Sequence, residues 1–137
     1  MLQKYWQLTV RSEFSAAHAL RHYQGKCENL HGHNFGVEVT VEGQELEPKT
    51  EMLVDFKVLK TALKTVLEQL DHHVLNETPP FDVQNPSSEN LSRYIWQNMA
   101  SLLQGLPVRL HSVTVSEKGA QSATYREVDY EARAFSL

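Results

Sequence analysis

The stretch HNFGVEVTVE, residues 33–42, decides the fold. Phe35, Val37, Val39 and Val41 stand two apart with small or polar residues between them, so one face of an extended strand is apolar and the other wet. Upstream, Trp6, Leu8 and Val10 alternate with Gln7, Thr9 and Arg11, and Phe14 keeps the parity, which predicts a strand over 4–18. Residues 19–30 (ALRHYQGKCENL) break the alternation with mixed polar residues and Gly25. The two segments read as antiparallel strands joined by an unusually long loop, and such loops inside compact domains are often functional.

Downstream, GQELEPKT (43–50) predicts a turn, and Asp55 offers a helix N-cap. Phe56, Leu59, Ala62, Leu63, Val66, Leu67 and Leu70 follow at spacings of three and four, the signature of an amphipathic helix that closes on Leu70-Asp71-His72-His73. Residues 74–86, with three prolines, Asn76 and Asn85, predict a loop. Ser87 or Ser88 can cap a second helix, with Glu89 against its positive end. Leu91, Tyr94, Ile95, Met99, Leu102 and Leu103 supply its apolar stripe, and Gly105 with Pro107 stops it. His111, Val113 and Val115 share one parity ending at Glu117. After a turn through Gly119, Val128, Tyr130, Ala132 and Ala134 predict the last strand. The order ββααββ is an α+β arrangement, a four-stranded antiparallel sheet with two helices on one face. With no repeat and no Gly/Ser/Pro-rich linker, residues 1–137 read as a single domain. Its open sheet has two edges and an uncovered face, which predicts a homo-oligomer.

Composition narrows the function classes. The net charge is −4 and no run of Lys and Arg appears, which argues against nucleic acid as a partner. Arg21, Lys26 and Lys118 are candidates for a local anion site, although spacing alone reads each as a solvated surface charge. Cys27 is the one cysteine, so no intrachain disulfide forms, which suits a reducing compartment. The segment MLQKYWQLTV lacks the apolar core of a signal peptide, and no stretch reaches the roughly 18–20 apolar residues of a membrane span. A cytoplasmic location without membrane contact is expected.

Chemistry concentrates in the histidines. His31 and His33 continue the parity of Phe35 and Val37, so two imidazoles project from the end of an apolar face. Desolvating them costs free energy unless something binds them, and a metal ion is one such partner. His18 ends the neighbouring strand and can bring a third nitrogen to the same point. Three imidazoles without thiolate or carboxylate leave a fourth tetrahedral position open, as in catalytic zinc sites. His22, His73 and His111 read as surface or packing residues. Cys27, four residues before His31, can be a fourth ligand that closes the site, a nucleophile or base, or an inert buried thiol. Asp71 beside His72 can orient an imidazole, but adjacent residues face each other only at a helix end or turn. Glu117 ends an apolar parity, where its carboxylate either pairs with a ligand presenting two parallel N–H donors or reaches solvent.

Taken together, FSAAHAL (14–20), CENLHGHN (27–34), LVDFKVLK (53–60), LDHHVLN (70–76), NPSSEN (85–90) and VSEKG (115–119) resemble the family of 6-pyruvoyl tetrahydropterin and 6-carboxytetrahydropterin synthases, in family order. The resemblance implies the tunnelling fold (T-fold), usually a hexamer of two trimers with active sites between subunits. It implies zinc held by His18, His31 and His33, Cys27 as the catalytic thiol, and Asp71 with His72 as a relay from a neighbouring subunit. It also implies Glu117 as the pterin anchor, with Ser87 and Ser88 lining the pterin pocket. The cysteine-to-histidine spacing is most similar to the carboxy-synthase branch. That branch converts 7,8-dihydroneopterin triphosphate to 6-carboxy-5,6,7,8-tetrahydropterin, acetaldehyde and triphosphate, on the way to queuosine and other deazapurines. Glu28 stands where a folate-pathway branch uses glutamate in place of the cysteine, which implies cleavage to 6-hydroxymethyl-7,8-dihydropterin as an alternative. 6-Pyruvoyl tetrahydropterin formation is the third product within the family. A non-catalytic pterin- or purine-binding oligomer is the alternative from another class. Ala19 replaces the basic residue that many relatives carry after the first histidine, and the tail 127–137 extends past the usual end.

Overall fold

The computed structural model describes residues 1–129. Its elements run β1 (Trp6–His18), β2 (His31–Gly43), α1 (Phe56–Glu68), β3 (His73–Val74), α2 (Ser88–Leu102), β4 (Arg109–Lys118) and β5 (Gln121–Tyr125). The sheet order is β3-β1-β2-β4-β5, antiparallel except between β1 and β3. Both helices cover one face, as the α+β reading expects.

The β1–β2 ladder runs unbroken from Trp6 opposite Gly43 to His18 opposite His31. It places Phe14 across from Phe35 and Val10 across from Val39, with the two phenyl rings stacked at 4.9 Å between centroids. A slip of one residue would turn this whole apolar row to water. Leu59, Leu63, Val66 and Leu67 of α1 and Leu91, Ile95, Trp96 and Met99 of α2 pack on that row with Val113 and Val115 of β4. Burial of each such large side chain contributes about 1.5–3 kcal/mol. The Asp55 side chain caps α1 by accepting from Lys57 N–H at 2.8 Å. The Ser87 hydroxyl caps α2 by accepting from Asn90 N–H at 3.2 Å. After α2, Gly105 takes the left-handed φ of 84°.

Three expectations change. The sheet has five strands rather than four, because the two-residue β3 docks on the edge of β1, with Ala16 opposite His73. The last strand of the sheet is β5 at Gln121–Tyr125, with Ala123 opposite Val115 and Tyr125 opposite Val113. Its sequence, QSATY, has Ala123 and Tyr125 as its only inward apolar groups, too few for an apolar alternation to mark it. Val128 lies in no strand, and Tyr130, Ala132 and Ala134 lie outside the described residues. In the helices, Phe56 and Leu102 are exposed, whereas Trp96 is buried and meets Tyr125 of β5 edge-on.

The other sheet face is polar and internally paired. Thr9 meets Thr40 (2.8 Å), Arg11 meets Glu38 (2.9 Å) and Thr114 meets Thr124 (2.7 Å). No helix among the described residues is long and apolar enough to cross a membrane.

Candidate metal centre and its neighbourhood

The strand register that builds the core also builds a cluster of imidazoles. His18 pairs with His31 across the ladder, and His33, two residues on, pairs with Ala16. All three rings therefore leave the sheet on the core face, beyond Phe35, whose ring lies 5.2 Å from His18 and 5.4 Å from His33. One nitrogen from each ring lies within 4.8 Å of the others, a spacing able to hold a metal ion.

Backbone carbonyls select the tautomers. His18 donates from Nδ1 to Pro86 C=O at 2.7 Å, and His31 donates from Nδ1 to Asn29 C=O at 2.7 Å. Both rings are thereby left with a lone pair on Nε2, the outer-shell arrangement that orients imidazole ligands. His18 is fully buried, and its Nε2 has no hydrogen-bond partner among the described residues. Burial pushes the pKa of His18 and of His33 below the ordinary 6.5, so both rings are neutral at pH 7. A buried lone pair that resists protonation and has no donor fits a cation. The donor set fits a divalent metal.

Glu117 faces this cluster rather than bulk solvent. Its carboxylate oxygens lie 3.7 Å from His18 Nε2 and 3.7 Å from His33 Nε2, and its side chain is 15% exposed. Ser88 Oγ donates to Glu117 Oε1 at 3.3 Å. Ser87, by contrast, uses its hydroxyl as the α2 cap. Lys118, next in sequence, contributes to lowering the His33 pKa, so its charge acts on the site.

Asp71 and His72 form a second pair on the edge of β1. His72 takes the left-handed φ of 61°, which turns its ring back so that Nδ1 lies 3.0 Å from Asp71 Oδ2. Ser15 grips both residues: its N–H donates to Asp71 Oδ1 at 2.8 Å, and its C=O accepts from His72 N–H at 2.6 Å. The Ser15 N–H is also the main reason that the Asp71 carboxyl titrates below the ordinary carboxylate range. His72 and His33 line one groove, together with Ser15, Asn34 and the exposed His73.

Cys27 and Glu28 occupy a short 3-10 turn, Lys26–Glu28, with Cys27 half-buried and Glu28 exposed. The histidine cluster does not include Cys27, which argues against a closed four-ligand site. Arg21 is no free cation: its guanidinium donates to the C=O of Gln84 (2.9 Å) and of Phe81 (2.8 Å). Asn76 and Asn85 accept from the N–H groups of Ala19 (2.8 Å) and Arg21 (2.9 Å), contacts that two asparagines beside prolines do not reveal in the sequence.

Comparison with known proteins agrees with this geometry. The family model described as 6-pyruvoyl tetrahydropterin synthase matches residues 7–128. A 6-carboxy-5,6,7,8-tetrahydropterin synthase of Synechocystis is 36% identical over 124 residues, covering 88% of this chain and 92% of that protein. A 6-pyruvoyl tetrahydrobiopterin synthase of Drosophila melanogaster is 37% identical over 133 residues, covering 87% of this chain and 78% of that protein. The structure of Caenorhabditis elegans 6-pyruvoyl tetrahydropterin synthase superposes with a TM-score of 0.81 at 28% identity, over 91% of this chain and 97% of that one. A histidine cluster able to hold a metal ion, a paired Asp–His and a match along nearly the whole chain lead to one assignment: this chain belongs to the 6-pyruvoyl tetrahydropterin synthase family.

Proposed function

We propose that the chain is a zinc-dependent 6-carboxy-5,6,7,8-tetrahydropterin synthase acting on 7,8-dihydroneopterin triphosphate. The observation that carries the reading is the buried, partnerless Nε2 of His18 within reach of His31 and His33. Bound by these three residues, zinc would supply Lewis-acid polarisation of a substrate oxygen. Glu117, steadied by Ser88, accepts the two parallel N–H bonds of the pterin 2-amino group and ring nitrogen. Ser87 and Ser88 present the start of α2 to the same ring. Cys27 exchanges protons with the substrate side chain, and His72, held by Asp71, moves the hydroxyl proton. The C1′–C2′ bond breaks, and with one water the products are 6-carboxytetrahydropterin, acetaldehyde and triphosphate. Reduction of the ring is balanced by oxidation of C1′ to the carboxylate, so no external redox partner enters.

The groove lined by His33 and His72 contains no residue of the 26–28 turn. This arrangement suits a homo-oligomer in which one subunit's Cys27 meets another's Asp71 and His72, and the hexamer of two trimers is the assembly that the family resemblance implies. A second reading follows from Glu28, exposed in the same turn as Cys27: with Glu28 as the base, the product is 6-hydroxymethyl-7,8-dihydropterin. Incubating the zinc-loaded protein with 7,8-dihydroneopterin triphosphate and identifying products by mass spectrometry tests both. Acetaldehyde with 6-carboxytetrahydropterin is expected, and its loss in Cys27→Ala assigns the thiol. 6-Pyruvoyl tetrahydropterin or the hydroxymethyl product alone overturns the first reading, and binding without turnover overturns both.

A further inference from the structure

Past His18 the chain is held by side chains rather than by a strand. Asn76 accepts from Ala19 N–H through Oδ1 (2.8 Å) and donates to Ala19 C=O through Nδ2 (2.9 Å). Asn85 brackets Arg21 in the same way, at 2.9 and 3.1 Å. Between these two brackets, Leu20 N–H donates to the C=O of Cys27 at 2.8 Å. The Arg21 guanidinium completes the closure on the Gln84 and Phe81 carbonyls and, at 3.4 Å, on that of Asn76. The residue that follows Asn85 is Pro86, whose carbonyl accepts from His18 Nδ1.

We propose that Arg21, Asn76 and Asn85 are positioning residues for the metal centre. They hold the Pro86 carbonyl against His18, keep that imidazole in the tautomer that presents Nε2 to the cluster, and tie the Cys27 turn to the same short segment. Each asparagine makes two antiparallel bonds to one residue, which fixes both the separation and the orientation of the two loops. A carbonyl accepts only from a protonated Nδ1, so a Pro86 free to drift would let the His18 proton move to Nε2. The ring would then turn an N–H toward the cation. Removal of an outer-shell partner typically lowers metal affinity or activity by about 10- to 100-fold. The planar fork of Arg21 reaches several carbonyls at once, which a lysine ammonium does not reproduce.

The zinc part of this inference rests on the proposed function, whereas the tautomer part does not. Long-range proton–nitrogen NMR of the metal-free protein at a pH where the rings are neutral reads the His18 tautomer directly. Competition with a chromophoric chelator reads zinc affinity. Asn85→Ala, Asn85→Asp and Arg21→Lys are each expected to mix the two tautomers and to weaken zinc by about 10- to 100-fold. Asn85→Asp, which keeps the acceptor for Arg21 N–H, and Arg21→Lys preserve the test if Asn85→Ala does not fold. Leu63→Ala, a cavity in α1, is expected to lower stability and leave both readouts unchanged. Parent-like tautomer and zinc affinity in all three clamp variants overturn the proposal, as does an equal loss of zinc affinity in Leu63→Ala. A parent that binds no zinc, with variants that still scramble the tautomer, overturns the proposed function and leaves the positioning role standing.

Discussion

The two nitrogens of His18 do different jobs, and His18→Asn separates them. The asparagine amide can still donate to Pro86 C=O, in place of the 2.7 Å bond from Nδ1, but carries nothing at the Nε2 position. In the metal-free protein the substitution removes a buried acceptor without a partner, a group whose desolvation costs about 1–3 kcal/mol. That gain offsets the packing lost with the ring, so metal-free stability should stay near the parent's. Zinc should then tell the two proteins apart. A ligand at 100 times its dissociation constant stabilises the folded state by about 2.7 kcal/mol. At about 2.1 cal/mol/K per residue, the 137 residues unfold with an entropy near 0.29 kcal/mol/K. The parent's Tm should therefore rise by about 9 °C at that zinc level and by about 5 °C for each further tenfold. Thermal melts of chelator-stripped protein against buffered free zinc measure this. A flat parent curve, or a His18→Asn curve that climbs like the parent's, refutes the reasoning.

Other outcomes follow from the same geometry. Glu117→Gln should keep zinc and lose pterin affinity by about 30-fold, as expected for losing roughly 2 kcal/mol of charge-assisted bonding; calorimetry with a dihydropterin checks it, and loss of zinc instead would make Glu117 a ligand. Asp71→Asn should lower kcat by about 100-fold while KM holds, since His72 loses its carboxylate partner but the groove remains; steady-state kinetics decide. Lowering the pH should weaken the metal-free protein. Unfolded imidazoles protonate near 6.5 but folded His18 and His33 only below that, so stability is full above pH 6.5, falls as pH drops toward the lowered values, and levels off beneath them. Urea melts between pH 8 and pH 5 should show that decline, smaller in His18→Asn.

How much of this was readable before the structure depends on how far each feature reaches along the chain. The parity from His31 to Val41 is local, so the strand, its buried face and two of the three imidazoles followed from spacing. His18 needed the register as well, which the matching apolar rows of β1 and β2 specify. Asp71 with His72 did not follow, because their contact depends on a left-handed backbone at a histidine, where no glycine or asparagine advertises the turn. β3 is two residues long, too short to have a period, and β5 has only Ala123 and Tyr125 as inward apolar groups, too few to mark an alternation. Arg21 was weighed as a charge when its role is that of a five-donor fork for carbonyls that the sequence pattern does not reveal.

The unbroken ladder has one more consequence. Residues 19–30 are the hairpin connection itself, and its two ends are fastened at a single rung, where His18 stands opposite His31. Between the bracketed Arg21 and the Cys27 turn this connector can change length at little thermodynamic expense, while Arg21 and Asn29 stay in place to hold the segments around His18 and His31. The spacing of the three imidazoles belongs to the rigid ladder, whereas the turn that carries Cys27 and Glu28 is reached through the connector. Length changes within the exposed 22–24 segment are therefore the ones that this frame absorbs most readily.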